Sequence, residues 1–196
     1  MKTRGILFIL IAAVVFSALF GCKKPEKEDN TQTTEEILII PETITIKGEK
    51  YSTELTELEL YAKELTNSDI EPLKYMTKLL RLNISGNSIS DLSPLKGLTD
   101  LTYLVLHGNN ISDVSALSGL TNLTRLILVN NKISDISALS GLTNLTELNL
   151  FDNKITYINS LSGLTNLTNL ILSGNPLNPE QVAELQAALP KCEIIY

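Results

Sequence analysis

The feature that most constrains the fold is a repeat with a period of 22 residues. Five consecutive copies follow the pattern LxxLxLxxN, with Ile84 at the third leucine position of the first copy, and continue with an isoleucine or leucine two residues after the asparagine. A chain that repeats itself at such a period is typical of a solenoid, in which each copy forms one coil and contacts only its neighbours. The copies open at Leu79, Leu101, Leu123, Leu145 and Leu167.

A sixth copy, more degenerate, precedes these five. It has leucine at the expected apolar positions from Leu55 to Leu65, but Lys63 replaces the asparagine and two extra residues come before Leu79. We therefore assign six repeat units to residues 55–177.

Each copy contains two apolar patterns, one after the other. Leu126 and Leu128 are separated by a variable residue, which is the period of a strand with one buried face. From Ile133 to Leu145 every third residue is apolar, which suits short 3₁₀ helices or extended turns and not an α-helix. We therefore expect one short strand and one 3₁₀ or extended segment in each coil.

A single coil would not be stable alone, because its buried aliphatic side chains do not offset the entropy lost on ordering the whole copy. Stacked coils bury their flat faces on each other and place strand beside strand in a parallel sheet. The repeated asparagine would lie where strand turns into loop. Its amide can donate to and accept from backbone groups left unpaired there, which predicts a structural role for Asn87, Asn109, Asn131, Asn153 and Asn175.

The motif and its period resemble the internalin-type leucine-rich repeats of bacterial surface proteins, most clearly in NxISDISALSGLTNLTxL at residues 131–148. The resemblance implies an α/β-type repeat solenoid. This would be a right-handed arc with a parallel β-sheet on its concave face and short 3₁₀ or extended turns on its convex face. It also implies an extracellular role in protein binding. Internalins usually carry more repeats, a helical front cap and an immunoglobulin-like domain, none of which is evident here, so invasion of host cells is not implied.

The front end of the stack needs a cap, because it would otherwise expose an apolar face and an unpaired strand. Residues 37–54 alternate in polarity around Ile44 and Ile46, with a turn signal near Gly48. They predict a β cap formed by a strand or hairpin.

Residues 178–196 predict the C-terminal cap. Asn178 is a candidate N-cap with Pro179 at the first helical position, and an apolar face follows before Pro190. The chain then predicts a final strand, with Cys192 in a core position that leucine occupies elsewhere. We expect this cysteine to be buried and unreactive.

Residues 1–21 have the layout of a secretory signal peptide. Lys2 and Arg4 precede an apolar run over residues 6–20, which is short for a bilayer span of about 20 residues. The run ends in LFGC, which resembles the bacterial lipobox and implies cleavage before Cys22 and lipidation of its thiol. Two alternatives remain open: a retained transmembrane helix, and a signal peptide cut nearby without lipidation.

Residues 22–36 comprise this cysteine and a charged, proline-containing segment without large apolar side chains. Such a segment behaves as a flexible tether with a reach of roughly 20 Å. The resemblance implies two or three acyl chains on Cys22, enough for stable membrane anchoring. Lys23 is not the aspartate of an inner-membrane retention signal. We therefore expect a location in the cell envelope, at the outer membrane or a Gram-positive cell surface.

Composition argues against several functional classes. The chain has 16 Lys and Arg against 22 Asp and Glu, a net charge of −6, and no basic cluster in its repeats, so nucleic acid is not an expected partner. One histidine and two cysteines are too few for a typical zinc site, and we expect neither metal nor cofactor. No recognisable nucleophile accompanies His107, so we do not expect an enzyme.

The variable positions of the strands form the candidate binding site. Three side chains per strand should point to the concave face, for example Arg81, Asn83 and Ser85 in the first regular copy. The copies have similar residues at the packing positions and different residues at the positions that face the concave side. In the middle strands the variable positions gather apolar and aromatic side chains, which a monomer seldom exposes without use; strand propensity alone is the alternative explanation. The predicted ligand-binding residues are Tyr103, Val105, His107, Arg125, Ile127, Val129, Glu147, Asn149 and Phe151.

Two functions follow as hypotheses. The first is a monomeric, lipid-anchored receptor or adhesin that binds another protein, from a host or from bacteria, through the concave face. The alternative is an envelope-associated module that binds glycan or peptidoglycan, in which Tyr103 and Phe151 would stack on sugar rings.

Overall fold

The computed structural model describes residues 40–196, which contain a small hairpin and a large parallel sheet. The hairpin pairs β1 (Thr43–Ile46) with β2 (Glu49–Ser52). Seven further strands form the parallel sheet in chain order, and no helix among these residues is long and apolar enough to cross a membrane. The seven strands are β3 (Glu57–Glu59), β4 (Arg81–Asn83), β5 (Tyr103–Val105), β6 (Arg125–Ile127), β7 (Glu147–Asn149), β8 (Asn169–Ile171) and β9 (Glu193–Ile195).

The predictions of a signal peptide, of a lipidated Cys22 and of a tether fall on residues outside the described part of the chain. The same holds for residues 37–39 of the front cap.

The repeat period sets the register of the sheet. From β4 to β8, residues one period apart in sequence are direct partners, so Leu104 lies beside Leu126 and Leu126 beside Leu148. These leucines point into a continuous aliphatic core, where the repeat leucines and isoleucines are almost completely buried. The predicted leucine-rich-repeat fold is confirmed.

Opposite the sheet, the later copies form short 3₁₀ helices as predicted, namely Ser93–Leu95, Ser115–Leu117, Ser137–Leu139 and Asn159–Leu161. The first copy differs. It forms the short helix α1 (Asn67–Ile70), which continues into a 3₁₀ segment over Glu71–Tyr75. The reason is length: the strand partners Glu57 and Arg81 are further apart in sequence than one regular period, and the two extra residues allow one turn of α-helix.

In the segment between strand and 3₁₀ helix, an aspartate side chain accepts a hydrogen bond from the backbone N–H two residues later. The Ser115 N–H donates to Asp113 Oδ1 at 2.8 Å, and Ser137 donates to Asp135 in the same way. These hydrogen bonds lower the pKa of both carboxyl groups. The SDxS segment of the repeat is therefore a turn and cap signal.

The repeated asparagines connect successive coils. Asn109 is 7% exposed, and its Nδ2 donates to Leu106 O at 3.1 Å and to Ile84 O of the preceding coil at 3.0 Å. Its Oδ1 accepts from Ile89 N at 3.0 Å. The structural interpretation of this asparagine is confirmed, and equivalent bonds are made by Asn87, Asn131, Asn153 and Asn175.

The buried asparagine bonds form an inner asparagine ladder. Two further ladders of side-chain hydrogen bonds connect successive coils at exposed positions and were not predicted. In the first, the Thr124 hydroxyl donates to Thr102 O of the preceding coil at 3.0 Å. In the second, Asn122 Nδ2 donates to Thr99 O at 2.9 Å. The same bonds recur one copy further on, from Thr146 to Thr124, from Thr168 to Thr146, from Asn144 to Thr121 and from Asn166 to Thr143.

The residue before each repeated asparagine has a positive φ angle. Glycine occupies this position at Gly86, Gly108 and Gly174, whereas Asn130 and Asp152 adopt the same conformation with side chains. Space is tightest at Gly174, where an added Cβ would lie 3.0 Å from the backbone of Asp152.

Replacing Gly174 with alanine should therefore destabilise the fold by about 1–3 kcal/mol, because the φ of +78° disfavours a Cβ and the neighbouring strand end cannot move away cheaply. Urea unfolding measures the loss. Gly163→Ala is the matched control, since a Cβ there meets nothing within 4 Å, and it should stay within about 1 kcal/mol of the wild type. Equal effects of the two substitutions would contradict this account.

A hairpin precedes the regular copies and a helix follows them. The front hairpin turns at Lys47 and Gly48 and buries Ile44 and Ile46. At the back, Asn178 Oδ1 accepts from Glu180 N at 2.9 Å and starts α2 (Pro179–Ala188).

The helix α2 packs against the last 3₁₀ helix, Asn159–Leu161. Val182, Leu185 and Leu189 are buried at this end of the stack. Cys192 is 5% exposed directly before β9, and its burial raises the pKa of the thiol. A buried, protonated thiol is a poor nucleophile, as expected for a core position.

Candidate binding site

The solvent-facing side of the seven-stranded sheet, which we call the open face, carries three rows of side chains. Each strand contributes its first and third residues, and a further side chain follows two residues after the strand. Because adjacent strands are in register, equivalent side chains become neighbours across the sheet. The nine predicted binding residues come from β5, β6, β7 and the segments directly after them, and the structure brings them together.

The first row, which we call the charged row, is built around Tyr103. The Cζ atoms of Arg81 and Arg125 each lie 4.8 Å from the centroid of its ring. These arginines project from the strands on either side, β4 and β6, so the two guanidinium groups cover opposite faces of the ring. Stacking of this kind is favourable by about 0.5–1 kcal/mol per contact at exposed sites. The Tyr103 ring thus lies between two guanidinium groups.

A carboxylate lies beside each of the two arginines of the charged row. Arg125 Nε donates to Glu147 Oε2 at 2.7 Å, which raises the pKa of Arg125. Arg81 Nε lies 4.0 Å from Glu57 Oε1, a looser ion pair. The row continues through Asn169 to Glu193 on β9, so it holds three carboxylates and two guanidinium groups and has a net charge of −1.

The second and third rows contain what we call the apolar strip. Val105, Ile127 and Val129 are each half-buried, whereas Phe151 is 42% exposed. Ile171 on β8 continues the strip by one strand. These five side chains cross four neighbouring strands and lie outside the aliphatic core.

Two of the predicted residues have more polar surroundings. His107 is half-buried, and its Nδ1 is buried without a hydrogen-bond partner among the described residues. Asn149 Oδ1 accepts from Phe151 N at 3.0 Å and so fixes the backbone after β7. Asn149 therefore orients the segment that carries Phe151.

Ser85, predicted to lie on the open face, has little accessible surface there. It is 3% exposed, and its hydroxyl donates to Asn83 Oδ1 on the same side of the chain. Asn83 in turn donates to Glu59 Oε2 at 2.7 Å. These hydrogen bonds leave the Ser85 side chain little surface for contact with a ligand.

Sequence reasoning also misses residues that share the open face with the predicted set. It assigns Arg81 to a variable position but not to the site, although Arg81 precedes Tyr103 by one repeat period, the same interval by which Arg125 follows it. That symmetry is the available signal. Tyr61, which is 61% exposed, and Ile171 also occupy variable positions of the repeat, but the sequence pattern does not assign them to the site.

The described residues contain no group of three or more His, Cys, Asp or Glu side chains placed to hold a metal ion. The arrangement on the open face is an apolar centre beside a charged row whose two arginines are paired with carboxylates. Its chemistry suits non-covalent contact.

The fold and this face together define a repeat solenoid with an open parallel sheet. Two family profiles described as leucine-rich repeats match the chain, one over residues 77–119 and the other over residues 121–177. The chain is a leucine-rich-repeat protein, and its structural neighbours include internalins. No curated protein matches the chain by sequence.

Three solved structures illustrate the similarity. Internalin C2 of Listeria monocytogenes is 33% identical with a TM-score of 0.68, and the match covers 76% of this chain and 66% of that one. A leucine-rich-repeat protein of Leptospira interrogans is 32% identical with a TM-score of 0.68, covering 74% and 38%. Another internalin of Listeria monocytogenes is 27% identical with a TM-score of 0.56, covering 76% and 50%. The chain thus spans less than two thirds of each of these structures.

Proposed function

We propose that the protein is a lipid-anchored bacterial cell-surface protein that binds another protein, of host or bacterial origin, through its open face. The internalin-like fold supports this proposal, because leucine-rich-repeat domains generally mediate protein–protein interaction. Repeats of the internalin type are typically non-enzymatic binding modules, and the proposal includes no catalytic step. The folded part would act as a monomer held near the membrane by the acylated Cys22.

The observation that carries the proposal is the apolar strip. Strand propensity could account for Val105 and Ile127, which lie within β5 and β6. It does not account for Phe151 and Val129, because β7 ends at Asn149 and β6 at Ile127. An exposed phenylalanine beside β-branched side chains, bordered by charged groups, has the apolar core and polar rim of a protein interface.

The glycan-binding alternative has less support. Stacking on a sugar requires an accessible ring face, and both faces of Tyr103 are covered by arginine. Phe151 keeps an exposed ring, but it would have to stack on the sugar without the help of Tyr103.

Parallel binding assays separate the two functions. The full mature chain is presented to envelope and host-surface protein fractions and, separately, to a glycan array. The proposal expects capture of a protein that is lost in the Phe151→Ala variant. Glycan signal that depends on Phe151, without any protein capture, would instead support the alternative.

The anchor gives a prediction of its own. In a bacterial expression host, the wild-type protein should fractionate with membranes and carry an acylated Cys22 at its mature amino terminus, whereas Cys22→Ala should lose the acyl chains and leave the membrane. Mass spectrometry of the mature terminus and membrane fractionation measure this. Cys192→Ala is the matched control and should stay membrane-bound. An unmodified Cys22, or a mature terminus elsewhere, would contradict the lipid anchor.

A further inference from the structure

Strand β9 forms one edge of the seven-stranded sheet. At its start the Glu193 N–H donates to Thr168 O at 2.9 Å, and at its end the Ile195 C=O accepts from Leu172 N at 2.6 Å. The backbone groups of Glu193 and Ile195 therefore face β8. Because successive residues of a strand direct their N–H and C=O groups to opposite sides, those of Ile194 face away from β8. No further strand among the described residues pairs with them.

A side chain satisfies the backbone of this edge at one point only. The Cys192 C=O, two residues before Ile194, accepts from Gln186 Nε2 of α2 at 3.0 Å. Within residues 40–196, no side chain bonds to the N–H or C=O of Ile194 in this way. An outward-facing N–H and C=O on the same strand residue match the hydrogen-bonding groups of another extended chain. The chemistry of the edge therefore specifies a strand as its occupant.

The two edges of the sheet carry different side chains. On β3, Glu57 and Glu59 occupy the open-face positions, and charges on an edge strand oppose pairing with another chain. On β9 the position equivalent to Glu59 is held by Ile195, which is 42% exposed. On the core side Ile194 is only half-buried, whereas its equivalent on β3, Leu58, is 5% exposed. The β9 edge thus leaves apolar surface open that the β3 edge does not.

Glu193 specifies the charge of an added strand. It is exposed on the open face beside Asn169 of β8, and it forms no ion pair with another residue of the described chain. A lysine or arginine opposite it would be favourable, whereas like charges directly opposite each other destabilise a strand pair. A second copy of β9 centred on Ile194 would place Glu193 opposite Glu193 if parallel, or opposite Ile195 if antiparallel. A strand of another protein with a basic residue fits the edge better than self-pairing does.

We infer that β9 is a docking edge, which takes up an extended segment of another protein as an added strand of the sheet. The segment has a basic residue opposite Glu193 and apolar residues opposite Ile194 and Ile195. The inference goes beyond the proposed function, because it uses backbone groups of the edge and does not need the apolar strip. Ile195 is the direct partner of Ile171, so the added strand widens the open face beside that strip.

A palindromic peptide with blocked ends, Thr-Lys-Val-Ile-Val-Lys-Thr, tests this inference, because it presents a lysine and two apolar residues to β9 in either direction. Fluorescence anisotropy measures its binding to the mature chain. Ile194→Pro removes the outward N–H and leaves the bonds to β8 in place, so it should weaken binding at least about 10-fold. Ile194→Val keeps the N–H and is the matched control, with binding within about 3-fold of the wild type. Circular dichroism and urea unfolding check that both variants fold.

Charge reversal gives a second readout that does not depend on proline. A peptide with glutamate in place of both lysines should bind the wild type about 5-fold more weakly. Glu193→Lys should reverse this preference between the two peptides. Phe151→Ala should bind the lysine peptide as the wild type does, which separates the edge from the site of the proposed function.

Three results would overturn the inference. Equal binding by Ile194→Pro and Ile194→Val would place the peptide away from the edge, and so would a peptide preference that Glu193→Lys leaves unchanged. Absence of binding by the lysine peptide to the wild type would remove the docking edge itself. If sedimentation then showed a dimer that Ile194→Pro abolishes, the edge would belong to a second copy of the chain. None of these results bears on protein capture through Phe151.

Discussion

Replacing Asn109 with alanine should lower the free energy of unfolding by about 3 kcal/mol. The substitution leaves the carbonyls of Ile84 and Leu106 and the N–H of Ile89 without their side-chain partner in a buried position. An unsatisfied buried backbone group costs about 1–3 kcal/mol, and the remaining cavity adds to this unless water enters it. Urea unfolding followed by circular dichroism measures the loss.

Asn122→Ala provides the control. Asn122 is exposed and its side chain makes a single bond, to Thr99 O at 2.9 Å, so its loss should cost less than about 1 kcal/mol. Equal losses of stability for the two variants would contradict the larger structural role assigned to the buried asparagines.

The second large effect concerns binding. Ile127→Glu should lower the affinity for the captured partner by at least about 30-fold, equivalent to about 2 kcal/mol of binding free energy. Ile127 lies at the centre of the apolar strip, and a carboxylate there would be desolvated without a partner in the complex. Because Ile127 is only half-buried on the open face of β6, the free protein should lose no more than about 1 kcal/mol of stability.

Ser118→Glu introduces the same charge on the opposite side of the coil, where the side chain is exposed, and should leave affinity unchanged. Affinity is measured by titration with the purified partner, and folding by thermal unfolding. Full binding by Ile127→Glu would place the interface away from the apolar strip.

Much of the fold could be predicted because the repeat records it many times. The positions of Leu126 and Leu128 predict β6, and the same reasoning places Cys192 in the core before the final strand. Local chemistry sets the start of α2, since asparagine is favoured at the N-cap and proline at the first helical position. The short helix at Asn67–Ile70 was not predicted, because the repeat pattern says nothing about how two extra residues are accommodated.

The candidate site was less predictable because it depends on contacts between copies. Alternation places Ile127 and Phe151 on the open face, but it does not predict that Ser85 is only 3% exposed, with its hydroxyl bonded to Asn83. The clamp on Tyr103 depends on two arginines in neighbouring coils. Such a contact becomes visible only when the copies are aligned side by side, and the rotamers that complete it are set by packing.

The inner asparagine ladder joins each coil to the next by the same bonds. The removal of one whole copy, such as residues 123–144, would bring Asn153 to the place that Asn131 occupies now. Duplication of a copy would extend the ladder in the same way. Recombination between neighbouring copies in the gene can therefore lengthen, shorten or reshuffle the recognition surface by whole strands while the bonding between coils stays intact.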